Sequence, residues 1–308
     1  MPPETTPQIF GVKIESAEKS TGRGQTILRG NMGQAKRKRD EFLKAHPTCI
    51  FCGGGAVATT EEHCPPRALF RDRAWPEGFV FPACAACNAG TSDHDLVVAF
   101  LAQLDPAADA SKLARGEGLM RQVARQMPQV LHEMFTSSAV EARTNARRLG
   151  LRPEPGQTYQ ELGVVNVPEA AHIAVRILAT KLTKAVYYQR TGSIFPVGGG
   201  IMFQWFTNAQ KMEHGRIVLL EALSRIATMS EPLTRGGRDL KDQFDFLYSV
   251  EKEGALHMLQ VTFGKVFGFV TIFSQTPGRL EAMEDQIKER TGSMDSPFEF
   301  LSTNRGMP

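Results

Sequence analysis

The sequence predicts an α+β fold, and three observations lead to this class. Two Cys-x-x-Cys pairs bracket two short runs of strand-forming residues, and a helical pattern follows the second pair. Helical periodicity then dominates the middle of the chain. Near the C-terminus, three apolar runs separated by short turns are typical of an antiparallel β-meander. We therefore predict an N-terminal cysteine module, further helices, and a C-terminal α+β domain that contains the meander.

The composition is that of an ordinary globular protein. The 308 residues, 42% hydrophobic and 22% charged, suffice for about two domains. No run reaches the roughly 18 apolar residues of a membrane-spanning helix, and the N-terminus lacks the basic start and apolar core of a signal peptide. We therefore expect a cytoplasmic protein with no membrane partner.

The N-terminal third is predicted to contain an arm, two helices and two strands. Residues 1–31 lack periodicity and are expected to form a flexible arm, with Met32 as an alternative start to Met1. Ser92 is expected to cap the second helix, with Asp95 as its capping-box partner. The elements are a basic helix over 34–45, strands over 56–63 and 78–83, and a helix from Ser92 to the Asp105-Pro106 stop.

The rest of the chain is predicted to be helical first and then mixed. Residues 111–149 predict two helices, separated near Pro128 or at 136–138, and Gly150 is a fitting stop. The Pro- and Gly-punctuated segment 151–162 is the best candidate linker. The later elements are a helix from Pro168 to about Gln189, a strand within 194–207, meander strands over 244–250, 256–263 and 265–273, and a helix over 278–292.

These elements suggest a division of the chain into four parts. They are an arm (1–31), the cysteine module (32–105), a basic helical segment (106–152) and a C-terminal α+β domain (153–308). The net charge of +3 is too small to indicate nucleic-acid binding by itself. Basic residues do cluster at 36–39 and between 112 and 152, which suits a polyanionic partner, although composition alone favours solvated helix faces as the explanation.

The cysteine spacing predicts a metal site. Four of the five cysteines form the pairs Cys49/Cys52 and Cys84/Cys87, and 31 residues separate the pairs. Two such pairs supply the four thiolates of a structural zinc site, because each Cys-x-x-Cys turn presents two sulfurs to one ion. A thioredoxin-like redox site, which would need a Cys-x-x-Cys that opens a helix after a strand, is the weaker alternative, since one pair leads into GGG and the other into NAG. Cys64 is expected to be a small buried hydrophobic residue.

The order of these motifs resembles the HNH endonuclease family. The elements of that pattern are CIFC, EHCPP and CAACN in this sequence, and the resemblance covers roughly residues 46–104. It implies a ββα-metal module that hydrolyses DNA phosphodiester bonds. It also implies that His63 is the general base, that Glu62 and Asn88 hold a catalytic Mg²⁺ or Mn²⁺, and that the zinc site is structural.

General chemistry is consistent with these roles. A neutral imidazole accepts a proton from water near pH 7, and a divalent ion on oxygen ligands stabilises the leaving oxygen. Asn88 has an alternative role as a helix cap. Asp93 and His94 are further candidate ligands for the catalytic ion, although His94 also fits a surface helix position.

The sequence departs from the family pattern at three points. Glu62 stands where Asp is commoner, and no basic residue follows Asn88 closely. No asparagine lies between Pro65 and Ala83 to orient the imidazole, so Glu77 or a backbone carbonyl is the candidate partner of His63.

DNA is the expected partner, and RNA is a less favoured alternative. Another alternative is a non-catalytic, zinc-stapled module that binds DNA or protein. The C-terminal domain is open to target recognition, self-association as a homodimer, or binding of a regulatory partner. HNH domains serve in restriction, phage defence, mobile elements and repair, and fold analogy does not choose among these. The candidate nucleic-acid contacts are Arg67, Arg71, Arg73, Lys36, Arg37, Lys38 and Arg39.

Overall fold

The computed structural model describes residues 31–105, 110–135, 138–209, 232–251, 254–291 and 298–303. The predicted N-terminal arm lies almost entirely outside these residues. The described part mixes helices with antiparallel sheet, which confirms the α+β class.

The helices and strands follow the predicted order. The helices are α1 (Asn31–Ala45), α2 (Ala85–Ala89), α3 (Ser92–Leu101), α4 (Ala110–Gln126), α5 (Pro128–Phe135), α6 (Ala139–Arg148), α7 (Glu169–Thr191) and α8 (Arg279–Thr291). The strands are β1 (Thr60–His63), β2 (Val80–Ala83), β3 (Gly200–Thr207), β4 (Thr234–Arg235), β5 (Arg238–Asp239), β6 (Asp245–Val250), β7 (His257–Phe263), β8 (Phe267–Ser274) and β9 (Glu299–Leu301).

The N-terminal module contains a short antiparallel hairpin followed by helices. Strands β1 and β2 pair so that Glu62 lies opposite Phe81 and His63 lies opposite Val80. Strand β1 is shorter than the predicted 56–63, because the residues before it form turns and a single bridge from Thr48 to Val57.

The N-cap expected for the helix after the hairpin is wrong. The cap residue of α3 is Thr91 instead of Ser92, because α3 begins at Ser92 and the Asp95 amide donates to the Thr91 carbonyl at 2.9 Å. The Thr91 side chain makes no capping bond to the backbone, and its hydroxyl instead accepts a hydrogen bond from Lys181.

The segment between 110 and 148 forms three helices where two were predicted. Both candidate break points are used, since α5 begins at Pro128 and α6 begins after Ser138. Ser138 forms a capping box with Glu141, and Gly150 has a φ of 73°, as a helix stop requires.

The C-terminal sheet has five strands in the order β6-β7-β8-β3-β9. All four pairings are antiparallel, which confirms the predicted meander β6-β7-β8 and adds β3 beside β8 and β9 beside β3. Helix α7 packs against this sheet, where the hydroxyls of Thr183 and Thr271 lie 2.9 Å apart.

Helix α7 also packs against α3, so it joins the sheet to the N-terminal module. One cluster of buried side chains runs from the hairpin through α3 and α7 into the sheet. It includes Phe81, Val97, Leu178, Leu182 and Phe203. Residues on both sides of the proposed 152/153 boundary therefore share one hydrophobic core.

Candidate zinc centre and His63 site

Four cysteine side chains converge where β1 begins and β2 ends. The Sγ atoms of Cys49, Cys52, Cys84 and Cys87 all lie within 4.8 Å of one another. A tetrahedral site with Zn–S bonds of about 2.3 Å places its sulfurs about 3.8 Å apart. The cluster could therefore hold a metal ion such as zinc. Within the described ranges, it is the one group of three or more His, Cys, Asp or Glu side chains close enough to share an ion.

Glycine shapes the turn that follows Cys52. Gly53 and Gly54 have φ values of 65° and 81°, in the left-handed region that residues with a Cβ rarely adopt. A Cβ on Gly53 would also lie 2.5 Å from Cγ2 of Val197. The glycines after the first cysteine pair thus allow the backbone of the cysteine turn to adopt positive φ and allow the loop before β3 to pack closely against it.

Lys184 places a buried amino group beside the cysteine cluster. Its Nζ donates to the Phe51 carbonyl at 2.7 Å, and the residue is 2% exposed. Burial lowers the pKa of Lys184, and the neighbouring thiols of Cys87, Cys52 and Cys49 oppose that change. An ammonium at this point partly offsets the negative charge of four thiolates around a divalent ion.

His63 is the last residue of β1, and its imidazole is half-buried. The ring packs edge-on against Trp75, with the ring centres 4.4 Å apart and an interplanar angle of 84°. None of the described residues hydrogen-bonds the imidazole. Glu77, the partner offered by the sequence, instead accepts a hydrogen bond from the Gly236 amide at 3.1 Å. Trp75, and not Glu77, is therefore the side chain in contact with the ring.

The surroundings keep the imidazole of His63 uncharged at neutral pH. Burial is the main cause, and the positive charges of Arg67, Arg235 and Arg73 add to it; together they lower its pKa to about 4. An uncharged imidazole can accept a proton, as a general base must, but a pKa of about 4 makes it a weaker base than an ordinary histidine.

Three guanidinium groups surround the His63 and Trp75 pair. Those of Arg67 and Arg235 lie 5.1 Å and 4.1 Å from the centre of the Trp75 ring. Arg73 follows Asp72 in a turn where both residues have positive φ, 54° and 55°, a strained conformation for residues other than glycine. Among the described residues, none of the three arginines pairs with a carboxylate.

Other arginines of the same region do have carboxylate partners. Arg71 forms an ion pair with Asp242, and Arg238 lies 3.7 Å from Asp72. The three arginines near His63 lack such partners among the described residues, which leaves a local excess of positive charge.

Arg235 was not found from the sequence. It lies in the β4–β5 hairpin, 172 positions after His63, and no motif surrounds it. The pattern TRGGRD resembles an ordinary tight turn between two short strands. Only the packing of that hairpin against the loop before β2 reveals its position.

Glu62 is buried and already has a cationic partner. The residue is 4% exposed, and its carboxylate forms an ion pair with Nζ of Lys181, which is 1% exposed. The same Nζ donates to the Thr91 hydroxyl at 2.8 Å. Burial raises the pKa of Glu62 to about 7 although Lys181 lowers it. Burial also lowers the pKa of Lys181, but Asp95 and Glu62 outweigh it and the net pKa is raised, so the ammonium is charged.

Asn88 ties α2 to β1. Its side-chain amide donates to the Thr60 hydroxyl at 3.0 Å and to the Glu61 carbonyl at 3.1 Å. Asp93 is exposed on α3 and His94 is half-buried there. Lys181 pairs with Oε1 of Glu62, so a divalent ion between Glu62 and Asn88 would compete with the ammonium for that carboxylate.

The predicted nucleic-acid residues separate into two groups. Arg67 and Arg73 lie near His63, whereas Arg71 is engaged with Asp242. The second group lies on α1 and is exposed, with Arg37 bonded to Glu41 at 3.0 Å; its members are Lys36, Arg37, Lys38 and Arg39.

Across the described ranges, no helix combines the length and the apolar character needed to cross a membrane. Comparison of the chain with protein-family models, with curated proteins and with solved structures finds no match.

Proposed function

We propose that the protein is an HNH-type endonuclease that hydrolyses DNA phosphodiester bonds, with His63 as the general base. The observation that supports this most is the position of the imidazole. It lies at the end of β1 that is far from the four-cysteine cluster, close to Arg67, Arg73 and Arg235, which lack carboxylate partners among the described residues.

In this proposal the zinc is structural. Four thiolates around one ion leave no open position for a substrate, so its contribution is to hold the start of β1, the end of β2 and the start of α2 together. The residues that would hold it are Cys49, Cys52, Cys84 and Cys87.

The chemical contributions of the chain follow from the site's charges. The imidazole of His63 accepts a proton from the attacking water. Guanidinium groups bind a phosphate through paired N–H donors and stabilise the charge that develops on its oxygens. We assign no step to a divalent ion, because Glu62 is paired with Lys181.

A plasmid-nicking assay with purified protein tests the proposal. The wild type is expected to convert supercoiled DNA to nicked or linear forms, and His63→Ala is expected to reduce the rate by about 100-fold or more. His132→Ala, an exposed histidine on α5, is the matched control and should retain full activity. Arms with Mg²⁺, with Mn²⁺ and with EDTA show whether a divalent ion takes part.

Zinc content and circular dichroism show whether a loss of activity in His63→Ala comes from loss of zinc or of the fold. His63→Ala should bind as much zinc as the wild type and give the same spectrum, because the residue lies outside the cysteine cluster. Folded protein that binds DNA but cuts neither DNA nor RNA in any of the three arms would refute the endonuclease proposal.

A second candidate function is a zinc-stapled module that binds DNA or protein without cutting. The buried pair of Glu62 and Lys181 favours this candidate, because it removes the acidic ligand that the HNH resemblance implies. Under this alternative, His63→Ala leaves DNA binding unchanged, while Cys84→Ser unfolds the N-terminal module.

A further inference from the structure

The β4–β5 hairpin brings a guanidinium from the C-terminal part of the chain to the His63 site. Arg235 ends β4, and its guanidinium lies 4.1 Å from the centre of the Trp75 ring, on which the His63 imidazole packs. Sequence reasoning placed all phosphate contacts in the N-terminal part. Arg235 lies more than 160 positions after Arg67 in the sequence.

Backbone contacts on both sides of Arg235 fix its position. The Glu77 amide donates to the Thr234 carbonyl at 3.0 Å, and the Gly236 amide donates to the Glu77 carboxylate at 3.1 Å. Glu77 thus holds the residues immediately before and after Arg235. The Glu77 carboxylate bonds the Gly236 amide and forms no ion pair with the Arg235 guanidinium among the described residues.

A second set of contacts anchors the chain that follows the hairpin. Arg71 forms an ion pair with Asp242, and its backbone amide donates to Oε1 of Gln243 at 2.7 Å. These bonds join the loop after the EHCPP motif to the segment after β5. Arg235 is therefore held against Trp75 by contacts at both ends of its own segment.

The charges at this point are unbalanced in the described structure. Arg67 and Arg235 both lie within about 6 Å of one aromatic ring, the distance at which a cation interacts with a ring face. Two such cations repel each other, and neither has a carboxylate partner among the described residues. An anion with several acceptor oxygens would relieve the repulsion, and guanidinium groups match the oxygens of a phosphate.

We propose that Arg235 binds the same DNA phosphate on which His63 acts, so that the β4–β5 hairpin completes the substrate site. Arg235 and Arg67, which come from two different parts of the chain, bind the same phosphate. This inference rests on the proposed endonuclease function, and it names the C-terminal part as a contributor to substrate binding.

The matched control lies in the same hairpin. Arg238 has the same charge and is exposed, but it lies 3.7 Å from Asp72 and is not in contact with Trp75. Arg235→Ala and Arg238→Ala therefore remove the same charge from one hairpin and differ in distance from the proposed phosphate. Arg235→Lys keeps the charge and loses the paired donors.

The experiment measures DNA binding in a His63→Ala background, where the DNA stays intact. Fluorescence anisotropy of an end-labelled duplex, repeated over a range of salt concentrations, gives affinity and salt dependence. Arg235→Ala should weaken binding about tenfold and lower the salt slope by about one. Arg238→Ala should change affinity less than twofold, and Arg235→Lys should recover part of the loss. Inorganic phosphate and a mononucleotide serve as competitors, and neither should displace the duplex at millimolar concentration.

Four other outcomes would overturn the inference. Equal losses in Arg235→Ala and Arg238→Ala would mean that the hairpin contributes only diffuse charge. A loss in Arg67→Ala with none in Arg235→Ala would remove Arg235 from the site and leave the proposed function intact. Displacement of the duplex by millimolar phosphate, or no DNA binding by any variant, would reject the proposed function together with this inference.

Discussion

Lys181 reaches the Glu62 carboxylate from a position 119 residues further along the chain. Both side chains are almost fully buried, and Thr91 and Asp95 complete the polar group around the ammonium. A buried ion pair is weak support for net stability, because desolvation offsets much of the attraction. Removal of only one of the two partners leaves an uncompensated buried charge, which destabilises the folded protein strongly.

A double-mutant cycle tests this pair. Lys181→Met should lower the free energy of unfolding by about 3–5 kcal/mol, since Glu62 and Asp95 lose their cation. Combining it with Glu62→Gln should recover part of the loss, because the remaining partner is then neutral. Chemical denaturation measures both, with Lys44→Met on the exposed face of α1 as the control. A change of less than about 1 kcal/mol in Lys181→Met would contradict the buried pair.

The protonation of His63 predicts a pH dependence of stability. The imidazole has a pKa lowered from 6.5 to about 4 in the folded protein. Between these values the unfolded chain binds a proton that the folded protein does not, so stability falls as the pH decreases through this range. The variant His63→Gln has no imidazole at this position, so it does not lose stability in this way as the pH decreases. The difference in melting temperature, wild type minus variant, should therefore decrease between pH 7 and pH 4.5.

An NMR titration of the His63 ring is the direct check on that prediction. Protonation near pH 4 agrees with the half-buried ring among arginines. Protonation near pH 6.5, with a melting-temperature difference that does not vary with pH, would show that the ring is solvated and remote from Arg67 and Arg235.

At the scale of elements, the β1–β2 hairpin is too short to be stable alone. Each strand has four residues, and isolated two-stranded hairpins are marginal in water. The cysteine cluster joins the start of β1 to the end of β2, and α3 and α7 cover the hairpin's inner side. The position of His63 at the far end of β1 depends on this clamp.

Loss of the clamp should therefore unfold the module. Cys84→Ser, or removal of the metal with a chelator, is expected to abolish stoichiometric zinc binding and to lower the melting temperature by at least 10 °C, because zinc binding is coupled to folding. Cys64→Ala is the control, since Cys64 is 1% exposed and lies outside the cluster. Zinc assay by atomic absorption and thermal melting suffice, and a Cys84→Ser protein with full zinc content would contradict the four-cysteine site.

For the molecule as a whole, local patterns predicted the elements better than the site. The cysteine spacing, the three meander strands and the helix after Pro168 each carry a signal within a few residues, and each is found in the structure. The partners of Glu62 and His63 carry no such signal. Lys181 lies beside Glu62, and Arg235 lies near His63, only because of tertiary packing. Thr91, the N-cap residue of α3, takes part in the same buried contacts through its bond with Lys181.

One signal in the sequence did point toward the buried lysines. The stretch KLTKAVYY puts Lys181 and Lys184 three residues apart, amid the apolar residues of a long helix. Charged residues in that setting are expected to need partners, because an unpaired buried ammonium is costly. Their partners, Glu62 and the cysteine cluster, could not be identified without the packing of α7 against α3.

The central claim is that the phosphate of bound DNA lies among Arg67, Arg73 and Arg235, beside His63. A crystal structure of zinc-loaded His63→Ala protein with a short DNA duplex tests it most directly. We predict a backbone phosphate within hydrogen-bonding distance of the Arg67 and Arg235 guanidiniums, with Glu62 still paired to Lys181. DNA bound elsewhere, with these arginines free of phosphate, would contradict the claim. A divalent ion on Glu62 with Lys181 displaced would instead restore the metal site that the family resemblance implies.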